Sequence, residues 1–146
     1  MSNKQQDYMS TLYQNAKMGM QSIHDVLPKV KNKDLKHILK KQYDEYEDIA
    51  AELENLAKQK DLEIKDNNWF EKTRLFLSTK MSTLFDDSTR NVVTMFLIGT
   101  TMGLVQLLKD HNDYAGVDNE FDTLREKLET IQQNNYNELR DFLKEQ

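Results

Sequence analysis

The chain contains no cysteine, which excludes disulfides, thiolate nucleophiles and zinc–thiolate sites. One proline and four glycines in 146 residues are too little punctuation for a protein of many short strands and tight turns. Histidine is scarce as well. The residues three positions before His24, His37 and His111 are Gln21, Asp34 and Leu108, so the Glu-x-x-His ligand pair is missing. Asp34–His37 comes nearest, but Asp34 sits where a helix cap or first-turn acid belongs. No Gly-rich phosphate loop and no Ser-His-Asp arrangement occurs. A formal net charge of −5 disfavours nucleic acid as a partner, because phosphate binding calls for a basic face. The opening MSNKQQDYMS has no apolar run behind a basic start, so no secretory leader is expected and the expected location is the cytoplasm.

A long clean apolar run is also lacking. The greasiest stretch is NVVTMFLIGTTMGLVQLL, residues 91–108. Its 17 residues from Val92 to Leu108 include Thr94, Thr100, Thr101 and Gln106, and Arg90 and Lys109–Asp110 close it in. A spanning helix wants about 20 predominantly apolar residues, so no membrane span is expected. The stretch reads instead as a helix that is apolar nearly all round and covered by protein on nearly all sides. Asp86, Asp87, Ser88 and Thr89 offer caps at its start, and Gly116 can take the left-handed conformation past its end.

What the chain does have is helical periodicity. Met9, Leu12, Ala16, Met20, Ile23, Leu27 and Val30 step by three or four and predict a helix over 5–27. Pro28, which has no amide donor, ends it. A second helix, 34–60, turns inward Leu35, Ile38, Leu39, Gln42, Tyr46, Ile49, Leu53 and Leu56. Its other faces carry Asp44, Glu45, Glu47, Asp48, Glu52 and Glu54, while six lysines between Lys29 and Lys41 crowd the preceding turn. The short link KVKNK folds these two helices back antiparallel. Trp69, Phe70, Phe76, Leu77, Met81 and Leu84 outline a shorter helix over 69–85. The remaining helices cover 88–112 and 118–144, the last with the stripe Phe121, Leu124, Leu128, Ile131, Asn135, Leu139 and Phe142.

These elements make one helical-bundle domain, 1–146. Residues 61–86 are too many for a simple turn, and a helix of about 16 residues spans about 24 Å. That is enough to travel the length of a bundle, so the second and third long helices can run parallel. The expected fold class is therefore all-α: a ferritin-like four-helix bundle with an additional short crossover helix between the second and third long helices. The runs NAKMGMQSI (15–23), KQYDEYEDIAAE (41–52), KMSTLFDDSTRNVVTMFLIGTTMG (80–103) and DYAGVD (113–118) carry a resemblance to known proteins. They are similar to small bacterial ferritin-like proteins of the low-GC Gram-positive type. The resemblance covers most of the chain and implies the fold; it attaches no chemistry to any position.

A ferritin-like di-metal centre takes a Glu from each of two helices and Glu-x-x-His from each of the other two. The residues expected inward at mid-height are Ala16, Met20, Gln42, Tyr46, Gly99, Met102, Gln106, Ile131 and Asn135, with no carboxylate. No catalytic residue, metal ligand or cofactor is therefore expected, and the chain reads as non-enzymatic. Two signals remain. Gln42, Tyr46, Gln106 and Asn135 interrupt apolar stripes; they either bond to one another and fix helix register or form a polar core pocket for a small ligand. Gly99 and Gly103 lie one turn apart on one face and suggest close helix packing, within the chain or across a homodimer. The expected function is an interaction or structural module, homodimeric, with a protein partner docking on the lysine-rich turn or the acidic helices. The alternatives are a carrier of a small ligand in the polar pocket and a divergent metal-binding oxidase or iron store.

Overall fold

The computed structural model describes residues 4–66, 68–83 and 88–146, apart from the side chains of 68, 69, 78 and 80–83. Five α-helices account for most of it: α1 (Lys4–Val26), α2 (Lys33–Gln59), α3 (Asn68–Thr83), α4 (Thr89–Tyr114) and α5 (Asn119–Lys144). There is no strand among the described residues. The helix boundaries fall within two residues of those expected from periodicity. Leu84, Asp86 and Asp87 lie outside the described residues, as do the side chains of Trp69 and Met81.

The helix ends follow from local chemistry. Pro28 sits in a short 3-10 turn, Leu27–Lys29, that closes α1. Asn32 caps α2 by accepting from the Leu35 amide at 3.0 Å, and Ser88 caps α4 by accepting from Asn91 at 3.3 Å. Asp118 caps α5 through the amides of Glu120 and Phe121. Past α4, Gly116 has φ +87°, the left-handed geometry that favours glycine.

Side-chain bonds give the direction of every helix. Tyr13 donates to Glu54, and Gly19 lies against Tyr46, so α1 and α2 are antiparallel. Thr11 meets Asp110 and Asn15 meets Gly103, so α1 and α4 are antiparallel too. Lys60–Glu120, Lys127–Glu52 and Lys41–Glu138 set α2 antiparallel to α5. It follows that α2 and α4 run parallel. The chain after α2 climbs beside α1: Gln6 donates to the Glu63 carbonyl, Gln14 to that of Lys65, and Arg74 reaches Asp25 at 3.1 Å. From there α3 packs on α1 and α4.

The core is a column of leucines and aromatics. Tyr8, Leu12, Leu35, Leu39, Ile49, Leu53, Leu107, Phe121, Leu128 and Leu139 are fully buried. Burying each such side chain contributes about 1.5–3 kcal/mol. On α3, Phe70, Thr73 and Leu77 face inward, whereas Phe76, expected on the same stripe, is half exposed.

One expectation is overturned. The greasy helix α4 is not covered on nearly all sides: only a third of its most apolar 18-residue window is buried. Its inner face carries Val92, Val93, Met95 and Leu107, but Ile98, Val105 and Leu108 are 43%, 45% and 55% exposed. The physical reason is geometric. Helices α1, α3 and α5 cover α4 from the inside and flanks, and among the described residues no other element covers the outer stripe. By length and composition alone, this helix could cross a membrane.

Candidate functional site

Two polar constellations interrupt the apolar column, one at mid-height and one near the α4–α5 turn. At mid-height, α1 contributes Asn15 and α5 contributes Gln132, both buried. Asn15 Nδ2 donates to the Gly103 carbonyl at 3.1 Å, and Gln132 Nε2 donates to Asn15 Oδ1 at 2.8 Å. Gly103 makes room for this pair: a Cβ there would stand 2.8 Å from Gln132 Nε2 and 3.0 Å from Asn15 Oδ1. Gly99 instead faces Leu77 of α3, where a Cβ would meet Leu77 Cδ1 at 3.1 Å.

From α2, Gln42 donates to Glu138 at 3.3 Å, and Lys41 approaches the same carboxylate at 3.6 Å. Tyr46 is buried against Gly19, whose missing Cβ would collide with the ring at 2.7 Å. Burial pushes the Tyr46 phenol up to about 12, against the opposing pull of Asn135 and Thr100 beside its hydroxyl. Asn135 is close enough to act on the phenol electrostatically, yet its Nδ2 has no partner in bonding geometry, and neither has Gln132 Oε1. Glu45 Oε1 is likewise buried without a partner. Burial raises that carboxyl, partly offset by Lys41, with the Glu138 charge adding to the rise.

The second constellation joins α1, α4 and α5. Tyr8 donates to Asp122 at 2.6 Å, and Arg125 donates to both Tyr8 and Asp122. Burial alone would raise the Asp122 carboxyl, but the Tyr8 hydroxyl, the Gly116 amide and Arg125 together hold it below the ordinary carboxylate range. Asp110 is 1% exposed. Gln106 donates to it at 3.0 Å and Thr11 at 3.3 Å. These bonds do not offset burial, which pushes Asp110 up to about 6.

Of the four residues expected to form a core cluster, Gln42, Tyr46 and Asn135 gather on the α2–α5 side of mid-height. Gln106 belongs to the other constellation, on Asp110 and Thr11. Gly103 packs inside the chain and Gly99 against α3, so neither glycine is presented at the outer surface stripe. Sequence reasoning passed over Asn15, Gln132, Asp110 and Arg125. Gln132 could have been found, since it falls four residues after Leu128 on the same stripe. Asp110 could not be separated from Lys109 as a closing charge.

Comparisons with protein-family models, with curated proteins and with solved structures give no match. The residues must speak for themselves. They offer buried amides, the buried carboxylates of Asp110 and Asp118, and no group of three or more His, Asp or Glu able to hold an ion, among the described residues. All three histidines are exposed.

Proposed function

We propose that this protein is a ferritin-like bundle that serves as an interaction module, pairing with a second copy of itself through the outer face of α4. The parallel course of α2 and α4, with residues 62–66 and α3 climbing beside α1 as a crossover, supports the ferritin-like part of the reading. The di-metal group such bundles hold does not fit here. Neutral amides at Asn15, Gln42, Gln132 and Asn135 cannot balance the charge of two divalent cations, which hard carboxylates normally supply.

The observation that carries the reading is the outer stripe of α4. Thr94, Ile98, Thr101, Val105, Leu108 and Asn112 are all exposed and recur at spacings of four and three, the pattern of a helix–helix seam. Thr94 and Thr101 donate their hydroxyls back to the carbonyls of Arg90 and Leu97, each at 2.8 Å, so the stripe offers their methyl groups. No charge lies between Arg90 and Lys109. A helix of 26 residues is about 39 Å long and about 10 Å wide, giving about 400 Å² per partner. A standard interface takes about 800 Å² per partner, so a neighbouring face must add to it; exposed Leu75 on α3 is an apolar contributor.

Native mass spectrometry and sedimentation of the wild type and of Val105→Glu test this. The expected outcome is a wild-type dimer at micromolar concentration and a monomeric variant with unchanged helical content. A monomeric wild type, or a variant that dimerises equally well, sinks the proposal. Binding of the wild type to neutral vesicles in a flotation assay would instead favour a membrane as the cover of α4.

A further inference from the structure

A pocket of about 50 Å³ lies where α1, α2, α4 and α5 meet beneath α3. Met18, Met95, Phe96 and Leu77 give it an apolar wall, and Gln132 belongs to its polar side. No charged side chain lines it. Gln132 is 2% exposed, and its Oε1 has no hydrogen-bond partner. The orientation of that amide is fixed. Asn15 must turn its Nδ2 to the Gly103 carbonyl, which leaves Asn15 Oδ1 as an acceptor, so Gln132 must present Nε2 to it and Oε1 elsewhere. Of the donors that line the pocket, the Thr100 hydroxyl goes to the Phe96 carbonyl and one Gln42 N–H goes to Glu138. A buried acceptor thus lines an apolar pocket and lacks a donor.

We propose that this pocket binds a small neutral molecule bearing one hydroxyl or N–H donor on a short apolar body. The donor meets Gln132 Oε1, and the body lies against Met18, Met95 and Leu77. The volume admits roughly four non-hydrogen atoms, since one water-sized sphere takes about 10–15 Å³. The absence of charge from the lining rules in neutral molecules and disfavours ions. Leu77 is the cover. It is the residue that α3 sets over Gly99, and the lack of a Cβ at Gly99 lets it settle there. This inference does not depend on the dimer, because the pocket opens beneath α3 and not onto the outer stripe of α4.

Isopropanol is a probe of the right size and chemistry, and xenon is an apolar control. Titration of protein labelled at the methionine methyls should give saturable shifts at Met18 and Met95 among the seven methionines. Gln132→Leu should weaken isopropanol binding about tenfold, as loss of one hydrogen bond implies, and leave xenon binding unchanged. Leu77→Ala should admit butan-1-ol and bind it more tightly than the wild type does. That variant alters only the packing of α3, so it keeps the test valid if Gln132→Leu fails to fold. The proposal is overturned by the absence of saturable shifts at those methyls, or by equal isopropanol binding in Gln132→Leu. It is overturned equally by a water on Gln132 that the alcohol does not displace, or by a Leu77→Ala variant with no gain for butan-1-ol.

Discussion

Gly99 and Gly103 sit one turn apart in α4 but answer to different neighbours. An alanine at 103 would place its Cβ within 3.0 Å of the buried amides of Gln132 and Asn15. Gly→Ala in a helix is ordinarily worth about 1 kcal/mol of stability, but disrupting a buried amide pair costs about 1–3 kcal/mol. Gly103→Ala should therefore destabilise by about 1–2 kcal/mol in urea unfolding. Gly99→Ala, whose close neighbour among the described residues is the flexible end of Leu77, should be neutral or stabilising by up to about 1 kcal/mol. Equal effects at the two positions would show that the amide pair is not what keeps Gly103. Asp110 supports a second prediction at this scale. Its carboxyl is raised to about 6 from an ordinary 3.8 by burial, against the bonds from Gln106 and Thr11, with Asp113 adding to the rise and Arg125 opposing it. A carboxyl raised on folding binds its proton more tightly in the native state, so the contribution of Asp110 to stability is greatest below pH 3.8 and is lost as pH climbs through 6. The loss is about 3 kcal/mol. Asp110→Asn keeps the size and removes the charge, so it should be more stable than the wild type at pH 7.5 by a comparable amount. It should also lose that part of the decline between pH 4 and 7. An unchanged pH profile would mean that Asp110 is solvated after all.

At the level of the helix, five elements were legible because three- and four-residue apolar spacing, a single proline and four cap residues all agree with one another. The caps at Asn32, Ser88 and Asp118 and the left-handed Gly116 are local chemistry, and local chemistry is written in the sequence. What periodicity could not give was the outward face of α4. Apolar residues recur all round that helix, so its pattern does not say which stripe the neighbours leave bare. Ile98 and Val105 look like core residues in one dimension and are surface residues in three. The mid-height amides were half legible for a related reason. Gln42, Tyr46 and Asn135 break apolar stripes visibly. Asn15 lies beside Ala16, one position off the expected stripe of α1, where periodicity gives no signal for it. Which amides meet across the bundle depends on the relative heights of α1 and α5, and those are set by the α3 segment and the α4–α5 turn, not by either helix.

For the whole molecule, the bare stripe of α4 and the net charge of −5 make opposite demands. Each copy repels the other at long range, yet the face proposed to join them carries no charge from residue 91 to residue 108. Salt screens the repulsion within about 10 Å at 0.1 M and takes nothing from an apolar seam. Dimerisation should therefore strengthen modestly as salt is raised, the reverse of an interface held by ion pairs. Folding should be linked to pairing as well. When the native state is a dimer and the unfolded state is not, mass action stabilises the fold as concentration rises. A tenfold increase is worth about 1.4 kcal/mol per dimer, which moves the melting temperature by roughly 2–3 °C for a chain of this size. Scanning calorimetry of the wild type over a hundredfold range of concentration should show that climb, and Val105→Glu should melt at one temperature throughout. A wild-type melting temperature independent of concentration, together with dissociation on adding salt, would move the joining surface from α4 to the charged helices.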